Sequence, residues 1–327
     1  MRHLFMLFQW LVIAITVQSC CCPHRLMPSA EPAPLEPFYV PERIRVALVL
    51  GSGGVRGMAH VGVLEVFEEY GIPIDLIVGC SAGSIVGALY AEKCSVAAIK
   101  PCVMEMRTHS MMDIECWNIK YGLSQGDSMH KVIDKYLEAE DFCHLNIPFV
   151  CCAADLHSGE LIPMGSGDLI SSIRASCSIP FVFVPCELNG RILVDGGTIN
   201  PNPANIAHDL GAEIVICVDL CELLEKTFPT NLFTVATRAA EIAFMWQNET
   251  CTSCADVTIR PKTCGVGSFN DKMKWKVYQA GREAALEKIP EILELLSRIP
   301  PDCTSDLTRR RLVCMQPYVP GIYRQES

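Results

Sequence analysis

The sequence predicts an α/β protein whose sheet is mostly parallel, with a ligand site along the C-terminal edge of its strands. Two observations carry that prediction. The run RIRVALVL (Arg43 to Leu50) leads into the glycine turn GSGGVRG (Gly51 to Gly57) and then into a helical pattern. The run IPIDLIVG (Ile72 to Gly79) leads into a second such turn, GCSAGS (Gly79 to Ser84), and again into a helical pattern. Short β-branched runs closed by glycine read as buried strands. Strand, turn and helix repeated in that order give neighbouring parallel strands, so both glycine turns should lie side by side on one edge.

In chain order, the first element is MRHLFMLFQWLVIAITVQSC, with Arg2 and His3 ahead of an apolar stretch from Leu4 to Val17. About fourteen residues rising ~1.5 Å each span roughly 21 Å, short of a ~30 Å hydrocarbon core. Residues 1–19 therefore read as a signal peptide. Val17 to Cys20 also resembles a bacterial lipobox, which makes Cys20 the candidate lipidated residue and a membrane of the cell envelope the expected location. A plain signal peptide and an uncleaved anchor are the alternatives. Residues 20–42 carry Pro23, Pro28, Pro32, Pro34, Pro37 and Pro41, a pattern that excludes helix and central strand and predicts an extended tether. Residues 43–299 are expected to form the domain, and 300–327 a C-terminal extension.

Within the domain, PFVCCAAD (Pro148 to Asp155), RILVDGG (Arg191 to Gly197) and AEIVICVDL (Ala212 to Leu220) read as further strands. GDLISSIRAS, NPANIAHDLG, TVATRAAEIAFMWQNE and the long run from Lys272 to Ile299 read as helices. The chain has 327 residues, half of them apolar and a fifth charged, a globular composition. Its net charge is −10. Its tight basic cluster, Arg309 to Arg311, sits near the C-terminus, so a nucleic-acid partner is not expected. Of the 19 cysteines, Cys151, Cys152, Cys217 and Cys221 sit in apolar runs and read as small buried hydrophobes. Cys251 and Cys254 have metal or redox spacing, with Cys264 near. No second pair and no histidine at ligand spacing completes a zinc site, which leaves a disulfide or free thiols. No metal and no cofactor is expected.

Gly79-Cys80-Ser81-Ala82-Gly83 fits Gly-x-Ser-x-Gly, the pattern that exposes a serine Oγ on a sharp strand-to-helix turn. The following helix N-terminus favours developing negative charge. Acyl transfer also needs backbone N–H groups aimed at an oxyanion, and Gly51, Gly53 and Gly54 on the neighbouring turn can approach closely enough to supply them. Arg56 reads either as a brace for that loop or as a contact for an anionic headgroup. A dinucleotide loop is the rival reading, but Arg56 replaces the third glycine of the usual spacing. Asp75, the stand-in for a ribose-binding acid, precedes its strand's apolar run instead of ending it. For a base, His208 lies in an ordinary amphipathic helix and His60 precedes the serine. Asp195 ends an apolar strand at the Gly196-Gly197 turn. Acting directly as base, it must be partly desolvated, because an exposed carboxylate is a poor base near neutral pH.

At these residues the chain resembles the patatin-like phospholipases, especially their small bacterial members. GSGGVRG resembles their oxyanion loop, GCSAGS their nucleophile elbow and DGG the turn carrying their catalytic aspartate. The resemblance runs from about Arg43 to Ile289, through AADLHSGELIPM and IRASCSIPFVFVP. It implies a three-layer α/β/α fold with a mostly parallel central sheet, and a Ser–Asp dyad without histidine. It also implies hydrolysis of phospholipid or other lipid acyl esters through an acyl-enzyme. Carried over, Ser81 is the nucleophile, Asp195 the base, and Gly51, Gly53 and Gly54 the oxyanion donors. Arg56, Gly79, Gly83, Gly196 and Gly197 support them. Cys80 departs from the residues often found beside the nucleophile and is expected to make the site thiol-sensitive. Acyl transfer to another alcohol and a non-catalytic lipid-binding lipoprotein remain as alternatives.

Overall fold

The computed structural model describes residues 26–114, 121–221, 251–263, 265–300 and 309–319, with scattered positions from 228 to 248. The expected signal segment, Cys20 and Cys264 lie outside the described residues. In chain order the elements are β1 (Phe38–Pro41), β2 (Ile44–Leu50), α1 (Met58–Tyr70), β3 (Leu76–Cys80), α2 (Ala82–Lys93), α3 (Val96–Glu105), α4 (Asp127–Tyr136), β4 (Phe149–Asp155), β5 (Leu161–Met164), α5 (Leu169–Ser176), β6 (Cys186–Leu188), β7 (Arg191–Asp195), α6 (Ala204–Asp209), β8 (Ala212–Val218), β9 (Val257–Ile259), α7 (Lys274–Arg298) and β10 (Arg310–Val313).

The main sheet has the order β6-β7-β4-β3-β2-β8-β9, with β5 also paired to β4. From β4 to β9 every pairing on that path is parallel, and β5, β6 and β7 add an antiparallel margin. The period of two along each strand divides the core between the two faces. Val46, Leu48 and Leu50 of β2 face one cluster with α1, α2, α3 and α7, while Ala47 and Val49 face another. The second face is covered by α6 and by the separate β1–β10 pair, whose Phe38 and Val40 are buried there. The result is the expected three-layer arrangement with one thin outer layer.

That pair corrects the expected tether and extension. Ser29 bonds Glu187, the Ala33 N–H donates to Asn189 O at 3.0 Å, and Phe38–Pro41 pairs antiparallel with Arg310–Val313. Further on, Tyr318 bridges Leu161 and accepts from Asn205 Nδ2 at 2.8 Å. From Ser29 to Glu42 the proline-rich segment is thus part of the domain. Its prolines confine it to an edge strand, which a two-stranded sheet allows. Every described cysteine is a free thiol, Cys251 and Cys254 included.

Candidate active site

The two glycine turns lie side by side, as parallel pairing of β2 with β3 requires. Ser81 follows β3 directly and holds φ 52°, ψ −121°, a left-handed backbone that costs a non-glycine residue about 1–3 kcal/mol. Close packing holds it there. A Cβ on Gly83 would stand 1.9 Å from Leu50 O, so only glycine lets the first turn of α2 rest on the end of β2. The Ser81 N–H donates to Ser176 Oγ at 3.0 Å, and Ser84 Oγ donates to Ser81 O at 2.6 Å. These bonds tie the turn to the end of α5 and to α2.

Ser81 Oγ donates to Asp195 Oδ2 at 2.6 Å, and the Gly197 N–H donates to Asp195 Oδ1 at 2.8 Å. Both residues are only 4 % exposed. Burial pushes the Asp195 carboxyl up from 3.8 to about 6, against the opposing pull of the Ser81 and Gly197 hydrogen bonds. The desolvation that an aspartate base requires is therefore present. Asp195 reaches the edge by an unexpected route. β7 runs antiparallel to β4, beginning beyond the C-terminal edge and descending until Asp195 lies opposite Ala153.

The glycine loop divides its N–H groups. Gly51 donates to Val218 O at 3.1 Å, Ser52 to Pro201 O at 2.9 Å and Val55 to Ser268 O at 2.8 Å. Among the described residues, the Gly53 and Gly54 N–H groups meet no acceptor. Gly51 is thus corrected from an oxyanion donor to a loop anchor, because its N–H is held by β8. Gly54 has φ 58°, and a Cβ there would lie 2.4 Å from Ser268 O, so both its conformation and its surroundings require glycine. Arg56 braces the loop, its Nε donating to Gly53 O at 3.3 Å and its guanidinium reaching Ser268 Oγ at 3.5 Å.

Neither histidine reaches the dyad. His60 is fully buried with Nε2 2.8 Å from Gly51 O, and burial pushes it down to about 4, so it is neutral and holds the loop. His208 is exposed on α6 beside Asp209. Asp75, the rival nucleotide ligand, accepts the N–H groups of Arg45 and Val46 at the opposite end of β2 from the glycine turn. The expected thiol sensitivity at Cys80 is also corrected. Cys80 is fully buried, and burial raises its thiol well above the ordinary range, so it stays protonated and out of reach of solvent.

Three supports were not legible in the sequence. Asp219, 1 % exposed, accepts from Asn202 Nδ2 at 2.9 Å, Asn248 Nδ2 at 2.8 Å, Arg260 Nε at 3.0 Å and the Cys221 N–H at 2.9 Å. This network fixes the segment whose Pro201 carbonyl anchors Ser52. Lys274 is buried with its Nζ on the carbonyls of Val103 and Met106, closing the C-terminal end of α3. Cys177 lines the cleft beside Ser81, its Sγ 3.6 Å from Ser84 Oγ. Carbonyl capping by a distant lysine and carboxylate capture by two asparagines leave no periodic trace.

A cleft of about 740 Å³, including solvent at its mouth, opens beside Ser81 and Gly54. Val86, Val103, Met106, Met129 and Phe183 make its wall apolar. Such a wall accepts an alkyl chain, and methionines adapt to its shape.

Comparison with known proteins agrees with this geometry. The chain is 32% identical over 224 residues to patatin-like phospholipase domain-containing protein 6 of Mus musculus, covering 61% of this chain and 16% of that protein. It is 33% identical over 196 residues to lysophospholipase NTE1 of Candida albicans, covering 57% of this chain and 14% of that one. The chain thus spans a small part of those relatives' length. The solved structure of VipD from Legionella pneumophila shares the fold, with a TM-score of 0.52 at 13% identity over 83% of this chain and 72% of that one. The model of the patatin-like phospholipase family matches residues 48–208. That span encloses the glycine loop, Ser81 and Asp195, and it is a domain of the patatin-like phospholipase family.

Proposed function

We propose that this protein hydrolyses lipid acyl esters through Ser81 and Asp195. The observation that carries the reading is the 2.6 Å bond from Ser81 Oγ to a buried Asp195 whose carboxyl is raised to about 6, beside an apolar cleft. An ionised Asp195 takes the Ser81 proton as Oγ attacks the ester carbonyl. The oxyanion forms against the N–H groups of Gly53 and Gly54, with the α2 N-terminus behind them. Protonated Asp195 then gives its proton to the departing alcohol, leaving an acyl group on Ser81. Water then attacks the acyl carbonyl as Asp195 takes its proton, and Asp195 returns that proton to Ser81 Oγ as the Ser81–acyl bond breaks and the acid leaves. The acyl chain occupies the cleft, and its methionine-rich wall suits a glycerolipid acyl group. The naming of one relative as a lysophospholipase supports a phospholipid substrate class.

Turnover of a soluble fatty-acyl ester and fluorophosphonate labelling test this reading together. Wild type should turn over and label. Ser81→Ala should do neither, and Asp195→Asn should lose at least ~100-fold in turnover while staying folded. A labelled, folded Ser81→Ala protein, or an Asp195→Asn protein of wild-type rate, would refute it.

A further inference from the structure

We infer that Met129 of α4 closes the inner end of the cleft and sets the length of acyl chain that Ser81 accepts. The inference deepens the lipid-ester reading and rests on it. What carries it is the direction in which the cleft closes. Phe269 is 45 % exposed, and Thr108, Met111, Ser268 and Asp271 are partly exposed, so these lining residues mark the mouth. The most deeply buried lining side chains are Met58 at 1 %, Val86 at 2 % and Met129 at 2 %. Met58 opens α1 directly behind the glycine loop, and Val86 stands on the helix that follows Ser81. Both therefore wall the space beside the reacting atoms. Met129 comes from α4, outside both turns and their helices, and among the described residues it is the one residue of α4 that lines the cleft.

Chemistry decides which part of the substrate meets Met129. A lipid ester lies across Ser81 with its acyl chain on one side and its alcohol on the other. The buried wall offers a polar headgroup no partner. Lys274, the cation that lines the cleft, is buried with its Nζ on the carbonyls of Val103, at 2.8 Å, and Met106. Asp271, the carboxylate that lines it, stands at the mouth and accepts from the Thr108 N–H at 2.9 Å. A headgroup pushed inward would lose its hydration without replacement, whereas each methylene gains by leaving water. The acyl chain therefore points inward, the alcohol stays at the mouth, and the end of the chain meets Met129.

The helix that carries Met129 is held in place at both turns. Asp113 accepts from the N–H groups of Gly126, Asp127 and Ser128 at 2.9, 3.0 and 3.2 Å, which fixes its start. Ile133, on the same face one turn later and 2 % exposed, packs into the core without lining the cleft. An end wall anchored in this way discriminates by length, because a chain too long for it must displace close-packed side chains. An unbranched methionine gives that limit some play without removing it.

The test uses the full chain and two length series. One is p-nitrophenyl esters from butanoyl to hexadecanoyl, read as kcat/KM. The other is linear alcohols from butanol to dodecanol, whose binding is read by calorimetry and needs no turnover. In wild type both quantities should rise about fourfold per carbon to an optimum and then fall. Met129→Ala removes Cγ, Sδ and Cε and should move both optima about two to three carbons longer. Its preference for a chain about two carbons past the wild-type optimum should rise at least about tenfold. Met129→Phe should move both optima shorter, and opposite shifts cannot come from a general loss of packing. Ile133→Ala, which loosens α4 away from the cleft, should leave them in place. A wild-type profile without an optimum, Met129 variants that keep the wild-type optimum, or an Ile133→Ala protein that shifts it equally overturns the proposal. Alcohol optima that shift as expected with no ester turned over sink the hydrolase reading and leave the chain site standing. Ester turnover with unmoved optima does the reverse.

Discussion

Asp195→Asn should abolish turnover and stabilise the protein at the same time. Burial raises the Asp195 carboxyl from its ordinary 3.8 to about 6. The folded state therefore holds this proton where the unfolded chain has released it. Stability contributed by the neutral acid is present below pH ~4 and is lost as pH rises through about 6. Above that, the buried charge costs about 3 kcal/mol relative to the unfolded chain, at roughly 1.4 kcal/mol for each tenfold change in acid strength. Asparagine keeps the shape without the charge. Its Oδ1 accepts from the Gly197 N–H as Asp195 Oδ1 does at 2.8 Å, and its NH₂ faces Ser81 Oγ, which accepts. The expected gain at pH 8 is up to about 3 kcal/mol, a shift of about 1 M in the urea midpoint, and at pH 4 it should shrink towards zero. Urea titrations of wild type and variant at both pH values measure it. A variant of equal or lower stability at pH 8, or a gain that does not change with pH, would refute the account of Asp195 as a desolvated base.

Three further outcomes are expected. On a soluble ester, kcat/KM should fall about tenfold per pH unit below ~6 and level off above, since only ionised Asp195 takes the Ser81 proton; a profile flat down to pH 5 contradicts that role. Gly54→Ala should lower kcat by about 10²-fold with little change in KM, because its Cβ meets Ser268 O and moves an oxyanion donor; steady-state kinetics with an intact thermal transition is the check. Asp219→Ala should destabilise the fold by about 3–5 kcal/mol, since Arg260, Asn202 and Asn248 lose their shared acceptor, and denaturant unfolding at pH 7.5 would show it.

The part of the site legible in the sequence is the part made by neighbours in the chain. Strand, glycine turn and helix are contiguous at Leu50 to Met58 and again at Cys80 to Ala82, so handedness alone brings the two turns together. Asp195 was legible as a residue, but its strand direction was not. A five-residue apolar run looks the same whether it ascends or descends, and the pairing of β7 with β4 decides which. Gly51 was misread as a donor because its partner, Val218 O, lies on a strand far along the chain. The tether was misread for the same reason, since Phe38 and Val40 find burial only once Arg310–Val313 covers their edge. Cys177, Lys274 and Asp219 act through contacts that span from about a hundred to nearly two hundred residues or join several segments at once, and no local pattern encodes them.

The features on which the proposed reaction rests are the same ones that cost this edge stability. Ser81 keeps a left-handed backbone, Asp195 keeps a buried carboxylate, and the Gly53 and Gly54 N–H groups meet no acceptor among the described residues. None of these is needed to close the sheet, whose β2, β3, β4 and β8 are buried along nearly their whole length. Each persists because rigid, glycine-mediated packing leaves no room to relax, as where α2 rests on Leu50 O. Relaxing any one of them should stabilise the fold and weaken one step of the proposed reaction, either deprotonation of Ser81 or oxyanion binding. A screen for thermal stability should therefore return losses of activity at this edge, and substitutions that keep activity should fall elsewhere.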